Sequence, residues 1–158
     1  MLKVSIIMNC YNGEQYLKEA LESIIKQTYK NWELIFWDNQ STDKSASIFK
    51  SYTDSRFKYY YAPIHTDLGE ARKNAIKKTI GKWIAFLDVD DIWLPDKLSE
   101  QIKIINRYEH DNIGLIYGKI YFLEMKRKNK KYFIYQNSDR KLSEGHIFKD
   151  LLLYIWQR

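Results

Sequence analysis

Apolar runs and helically spaced apolar positions take turns along this chain. "KVSIIM" (Lys3 to Met8) is a short continuous run, and after "NCYNG" the segment Glu14 to Thr28 sets Leu17, Ala20, Leu21, Ile24 and Ile25 on one helical face. A strand, a loop and a helix are predicted there. "WELIFW" (Trp32 to Trp37) predicts a second buried strand, and the turn-forming "DNQSTD" follows, with Ser41 or Thr42 placed to cap a helix carrying Ile48, Phe49 and Tyr52. "FKYYYA" (Phe57 to Ala62) predicts a third strand. A helix from Gly69 to Ile80 then leads to a fourth strand, "KWIAFL", and Pro95 is placed to open a helix bearing Leu98, Ile102, Ile105 and Tyr108.

Strands and helices alternating at such short intervals predict βαβ units, and so an α/β fold: a mostly parallel sheet flanked by helices on both faces. After Asn112 the pattern changes. "IGLIYGKIYFLEM" reads as a longer strand, "KRKNKK" as a solvated turn, "KYFIY" as its hairpin partner and "GHIFKDLLLYIW" as a final amphipathic helix. There is no internal repeat and no linker, so residues 1–158 are expected to form one domain, with 1–112 as its core.

Composition limits the chemistry. With 158 residues, 45% apolar and 16% aromatic, the chain can bury a core. Its formal charge of +6 calls for anionic partners, which include nucleotide phosphates, nucleic acid and acidic lipid surfaces. A single cysteine, Cys10, allows no internal disulfide and no thiolate zinc site, which makes a reducing compartment the expectation. No run approaches the ~18 apolar residues of a membrane span, and "MLKVSIIMNCYNG" turns polar too soon for a signal peptide. The expected location is cytoplasmic. Contact with the inner face of the membrane through "KRKNKK" is compatible, although a polar turn gives the same string.

The polar motifs fall where the strands end. In open α/β sheets ligands bind at the carboxyl ends of the strands, and three such ends carry "NCYNG", "WDNQSTD" and "DVDD". Asp88, Asp90 and Asp91 place three carboxylates within four residues, and a divalent cation with hard oxygen ligands, Mg²⁺ or Mn²⁺, compensates their repulsion. Capping by Asp91 or Asp96 would account for one acid, not three. Arg72 and Lys73 near a helix start suit a diphosphate, and Tyr11 can stack on a base. Asp38 can accept a hydrogen bond from a base edge, although a turn into a helix uses the same residue types. His65, His110 and His146 show no metal-ligand spacing and are expected to be structural or exposed. A nucleic-acid-binding domain is disfavoured, because acids stand at strand ends where phosphates need basic groups.

Together these stretches resemble the family 2 glycosyltransferases of the GT-A fold, a Rossmann-like α/β architecture. The resemblance runs from "VSIIMNCYNGEQYLKEALESIIKQTY" through "WELIFWDNQSTDKS" to "LGEARKNAIKKTIGKWIAFLDVDDIWLPDKL". It implies that Tyr11 and Asp38 hold the nucleotide base, that Asn12 also belongs to the nucleotide-binding set, that Arg72 lies by the diphosphate, that Asp88 serves the ribose and that Asp90 is the metal ligand. It also implies an inverting transfer from a nucleotide sugar to a saccharide or lipid-linked acceptor. If Asp38 accepts the N3–H of uracil or thymine, UDP- or dTDP-sugars are the expected donors. Two departures stand out. The family usually writes two acids and a glycine before "STD", where this chain has Asp38, Asn39 and Gln40, and a proline and threonine before the tyrosine, where it has Asn9 and Cys10. Residues 113–158 are expected to form a partial acceptor-side region, with the family's catalytic base beyond "LLLYIWQR" and Glu144 and Asp150 as weak substitutes. A catalytically incomplete nucleotide-sugar-binding module is the alternative reading.

Overall fold

The structure is a computed structural model in which residues 2–107, 115 and 116 are described. The chain divides into a compact unit Met1–Gly114 and a second, Leu115–Arg158. The strand, hairpin and helix expected after Asn112, and with them Tyr108, His110, His146, Glu144 and Asp150, lie outside the described residues.

The order is β1 (Val4–Cys10), α1 (Leu17–Ile25), β2 (Trp32–Asp38), α2 (Ser45–Lys50), β3 (Phe57–Tyr61), α3 (Leu68–Ile76), β4 (Trp83–Phe86) and α4 (Lys97–Arg107). The sheet runs β3-β2-β1-β4 with every pairing parallel, as the alternation requires. β2 is buried along its whole length, which is why its apolar run is unbroken rather than alternating. β1 steps out to β2 on one side and receives β4 on the other, so the strand order reverses at the carboxyl end of β1.

Side chains on a strand alternate between faces, and the two faces meet different helices. Phe36 stacks on Phe49 of α2 with ring centroids 4.3 Å apart, and α1 touches α2. On the other face Ile7, Ile35 and Trp37 pack with Ala62 and with Ala71 and Ala75 of α3. The two alanines have almost no side chain, which lets α3 lie close to the sheet.

The helices are shorter than expected, for traceable reasons. α1 starts at Leu17 because residues 13–16 form a turn in which the Gly13 carbonyl accepts from the N–H groups of Tyr16 and Leu17. α3 stops at Ile76, and the N–H groups of Ile80 and Gly81 turn instead to Glu33 (2.9 Å) and the Ser5 hydroxyl (2.8 Å). α4 begins at Lys97, two residues past Pro95, whose carbonyl accepts from the Thr28 N–H at 2.8 Å. Its first turn is capped by Gln27, whose Oε1 accepts from the Leu98 N–H at 3.0 Å. Neither Ser41 nor Thr42 caps α2, whose N-cap is Lys44 without a side-chain bond. Leu98, Ile102 and Ile105 do form the buried face of α4.

Candidate functional site

The loops after β1 and β2 are laced together. Asn12 takes a positive φ of 52°, and its Oδ1 accepts from the Thr42 N–H at 2.8 Å while its own N–H donates to the Ser41 hydroxyl at 3.1 Å. Gly13 N–H donates to the Ser45 hydroxyl, and Glu14 N–H to Asp43 Oδ2, at 3.0 and 2.9 Å. Glu14 returns the favour, accepting from the Lys44 N–H at 2.8 Å. Burial alone would raise the Asp43 carboxyl, but the bonds from the Ser45 hydroxyl and from the Glu14 and Ser45 N–H groups bring it below its usual range. So "STD" serves as a latch for the first loop, which is what Ser41 and Thr42 do in place of capping.

That latch sets the first loop against the acidic turn after β4. A Cβ on Gly13 would stand 2.9 Å from Val89 Cγ2 and 3.1 Å from Cys10 Sγ, so only glycine lets the two loops meet this closely. Within the acidic turn, Arg72 Nη2 donates to Asp88 Oδ1 at 2.8 Å, joining α3 to the DxD segment. Asp90 and Asp91 are exposed. Asp91 is exposed as a residue but its carboxyl is partly desolvated, and that, then the charges of Asp90 and Asp88, push it above its usual range. Among the described residues no group of three or more His, Cys, Asp or Glu converges on one point. Asp88, Asp90 and Asp91 offer hard carboxylate oxygens, the donor type that Mg²⁺ or Mn²⁺ would take.

A cavity of about 280 Å³ opens between the ends of β1 and β2 and the start of α3, lined by Asn9, Cys10, Tyr11, Asn39 and His65 to Leu68 with Ala71. Tyr11 is exposed, and its ring meets that of His65 with centroids 4.4 Å apart. His65 Nδ1 bonds the Asn39 carbonyl oxygen at 2.8 Å, and the Asn39 amide pairs with the backbone of Thr66, donating to its carbonyl at 2.7 Å. Arg72 directly follows the cavity residue Ala71, which puts cavity and acidic turn side by side.

Asp38 lies elsewhere. It is 0% exposed, on the α2 face of the sheet, where Oδ1 accepts from the Ser41 N–H at 2.7 Å and Oδ2 from the Tyr59 hydroxyl at 2.6 Å. Burial, then that bond to Asp38, drives the Tyr59 phenol far above its usual value. Asp38, expected from the sequence to meet a base, thus stands in the turn behind the cavity, and the neighbouring Asn39 lines it. His65, Thr66 and Asn39 were not singled out as site residues from the sequence. Their position after β3 or β2, at the carboxyl edge of the sheet, was the available signal.

Residues 5–153 match the family Glycosyl transferase family 2. The chain belongs to this family. Among curated relatives, this family 2 chain is 40% identical over 115 residues to the Escherichia coli UDP-Glc:alpha-D-GlcNAc-diphosphoundecaprenol beta-1,3-glucosyltransferase WfgD, covering 73% of the chain and 44% of the relative. It is 34% identical over 104 residues to the putative teichuronic acid biosynthesis glycosyltransferase TuaG of Bacillus subtilis, covering 65% of the chain and 41% of the relative. Among solved structures, S. aureus TarS 1–349 in complex with UDP-GlcNAc superposes with a TM-score of 0.66 at 28% identity, over 68% of this chain and 32% of that one. The parallel sheet flanked by helices is thus the GT-A-like part of a family 2 transferase. The chain spans less than half the length of these relatives.

Proposed function

We propose that this chain binds a UDP- or dTDP-sugar with Mg²⁺ or Mn²⁺ and serves an inverting glycosyl transfer to a saccharide or lipid-linked acceptor in cell-surface glycan synthesis. The observation that carries the reading is the adjacency of the Tyr11 cavity to the Arg72–Asp88 pair and the exposed acids, all at the carboxyl edge of a parallel sheet. Tyr11 and His65 give the base an aromatic corner, and Asn12 holds the loop that presents Tyr11. Arg72 is placed to turn from Asp88 to the diphosphate, releasing Asp88 to the ribose. Asp90 would hold the cation, which when bound neutralises charge on the departing diphosphate. The TarS complex with UDP-GlcNAc and the undecaprenol-linked substrate in the name of the E. coli relative support the donor and acceptor classes.

The location proposed is the cytoplasmic side of a membrane. Among the described residues no helix is long and apolar enough to cross one. Glu144 and Asp150 are carried as candidates for the base that deprotonates the acceptor hydroxyl. Should this chain alone turn over UDP-sugars repeatedly, those two are the residues to mutate; binding without turnover favours the incomplete-module reading. The deciding experiment is calorimetric titration with UDP, dTDP, GDP and CDP, each with Mn²⁺ and with EDTA. UDP binding weakened tenfold or more by EDTA is expected if Asp90 holds a cation that helps bind the diphosphate. No detectable binding of any nucleotide would overturn the proposal.

A further inference from the structure

The Asn9 carboxamide has no partner in the fold. Its Oδ1 and Nδ2 are both buried and neither makes a hydrogen bond. Alternation along β1 puts the side chain with that of Ile7, on the α3 face, and Asn9 lines the cavity that opens there. Trp37, its partner in the register with β2, offers no help, since the indole Nε1 is itself unpaired. The polar groups of Asn39, His65, Thr66 and Asp67 around the same cavity are already engaged with one another or with the start of α3. Buried amides are rarely left unpaired, so two orphan atoms beside an aromatic-walled cavity point to a ligand that completes them.

We propose that Asn9 is the residue that reads the hydrogen-bonding edge of the pyrimidine base, an inference that rests on the cavity being the nucleotide site. A carboxamide presents one acceptor beside one donor. Uracil offers an N3–H donor beside a carbonyl acceptor, and cytosine offers an N3 acceptor beside an amino donor. Because no neighbour pins the amide, a half-turn of its terminal torsion matches either base. Asn9 therefore does not by itself set uracil against cytosine, and the choice of a UDP- or dTDP-sugar as donor rests on groups beyond this edge of the base. A carboxylate at the same place would accept from uracil and face cytosine N3 lone pair to lone pair.

The test is calorimetry in Mn²⁺ on the 158-residue chain and its Asn9→Asp and Asn9→Leu variants, with UDP and CDP, alongside a thermal melt of each protein. The parent is expected to bind the two nucleotides within about threefold, Asn9→Asp to favour UDP by about tenfold, and Asn9→Leu to weaken both by about tenfold with no loss of melting temperature. If Asn9→Asp fails to fold, the Asn9→Leu comparison decides alone. A parent that prefers UDP by tenfold or more, or an Asn9→Leu variant that binds UDP as the parent does, overturns the role of Asn9 and leaves the nucleotide site standing. A parent that binds neither nucleotide removes the proposed function as well.

Discussion

The ends of β2 and β4 carry aspartates at the same edge of the sheet and treat them in opposite ways. Asp38 is buried, and each of its oxygens has a donor inside the protein, the Ser41 N–H and the Tyr59 hydroxyl. The three acids after β4 stand in or near solvent with one guanidinium, Arg72, among them. A buried carboxylate persists only when its hydrogen bonds are made internally, so the first group is spent on building the turn. An exposed cluster of like charge keeps unfilled acceptor sites, which is what a cation needs, and a cation held there would in turn attract a diphosphate. The same residue type thus carries structure at one strand end and, on the proposed function, chemistry at the other, and burial decides which.

The sharpest way to break this contrast is to neutralise one acid at each end. Asp38→Ala leaves two buried donors facing an apolar methyl and should lower stability by about 1.5–3 kcal/mol in urea unfolding. Asp90→Asn should stay within about 0.5 kcal/mol of the parent while losing Mn²⁺-dependent UDP binding by tenfold or more. If Asp90→Asn destabilises the fold as Asp38→Ala does, the division of labour is wrong.

The contact that couples the two regions comes next. Gly13→Ala forces a methyl to 2.9 Å from Val89, and overpacking of that kind costs about 1–3 kcal/mol. Thermal melts should show the loss, and UDP affinity should fall with it, because the strain is relieved by moving the acidic turn away from the first loop. Unchanged affinity in a destabilised variant would uncouple the regions.

Acid titration sharpens the β2 side. The Asp43 carboxyl sits below its model-compound value of 3.8, so its contribution to stability is complete above that pH and is lost as pH falls through the lower, folded value. Asp43→Asn should therefore flatten the acid limb of a stability-against-pH curve below 3.8 and lower the plateau above it. An unchanged acid limb would show that Asp43 does not hold the latch.

The smallest effect is expected at Gln40, which has a φ of 68° where family members usually carry glycine. Gln40→Gly relieves a left-handed side-chain clash of about 1 kcal/mol but adds glycine backbone entropy of about 0.5–1 kcal/mol. It also removes bonds from Nε2 to the Pro63 and Ala62 carbonyls at 2.9 and 3.3 Å. A net change within about 0.5 kcal/mol is expected, read from the urea midpoint.

Much of this was legible in the amino-acid order alone. The alternation of apolar runs and helical faces determined the parallel α/β architecture, because a continuous Val/Ile/Leu-rich run is stable only in a strand covered on both faces. It also determined that "NCYNG", "DNQSTD" and "DVDD" meet at one edge, since every strand of a parallel sheet points the same way. Tyr11, Asn12, Arg72 and Asp88 stand at that edge. What the order could not decide was which side of the sheet each end residue faces, a matter of one residue in register. Asp38 falls on the α2 side and Asn39 on the cavity side, although the two are adjacent in the chain. Nor could local pattern show that Gln27, from the end of α1, would cap α4, or that His65 and Thr66 would close the cavity. Those contacts join positions far apart in the chain, and only the packing of α3 and the loops against the finished sheet brings their donors and acceptors within reach.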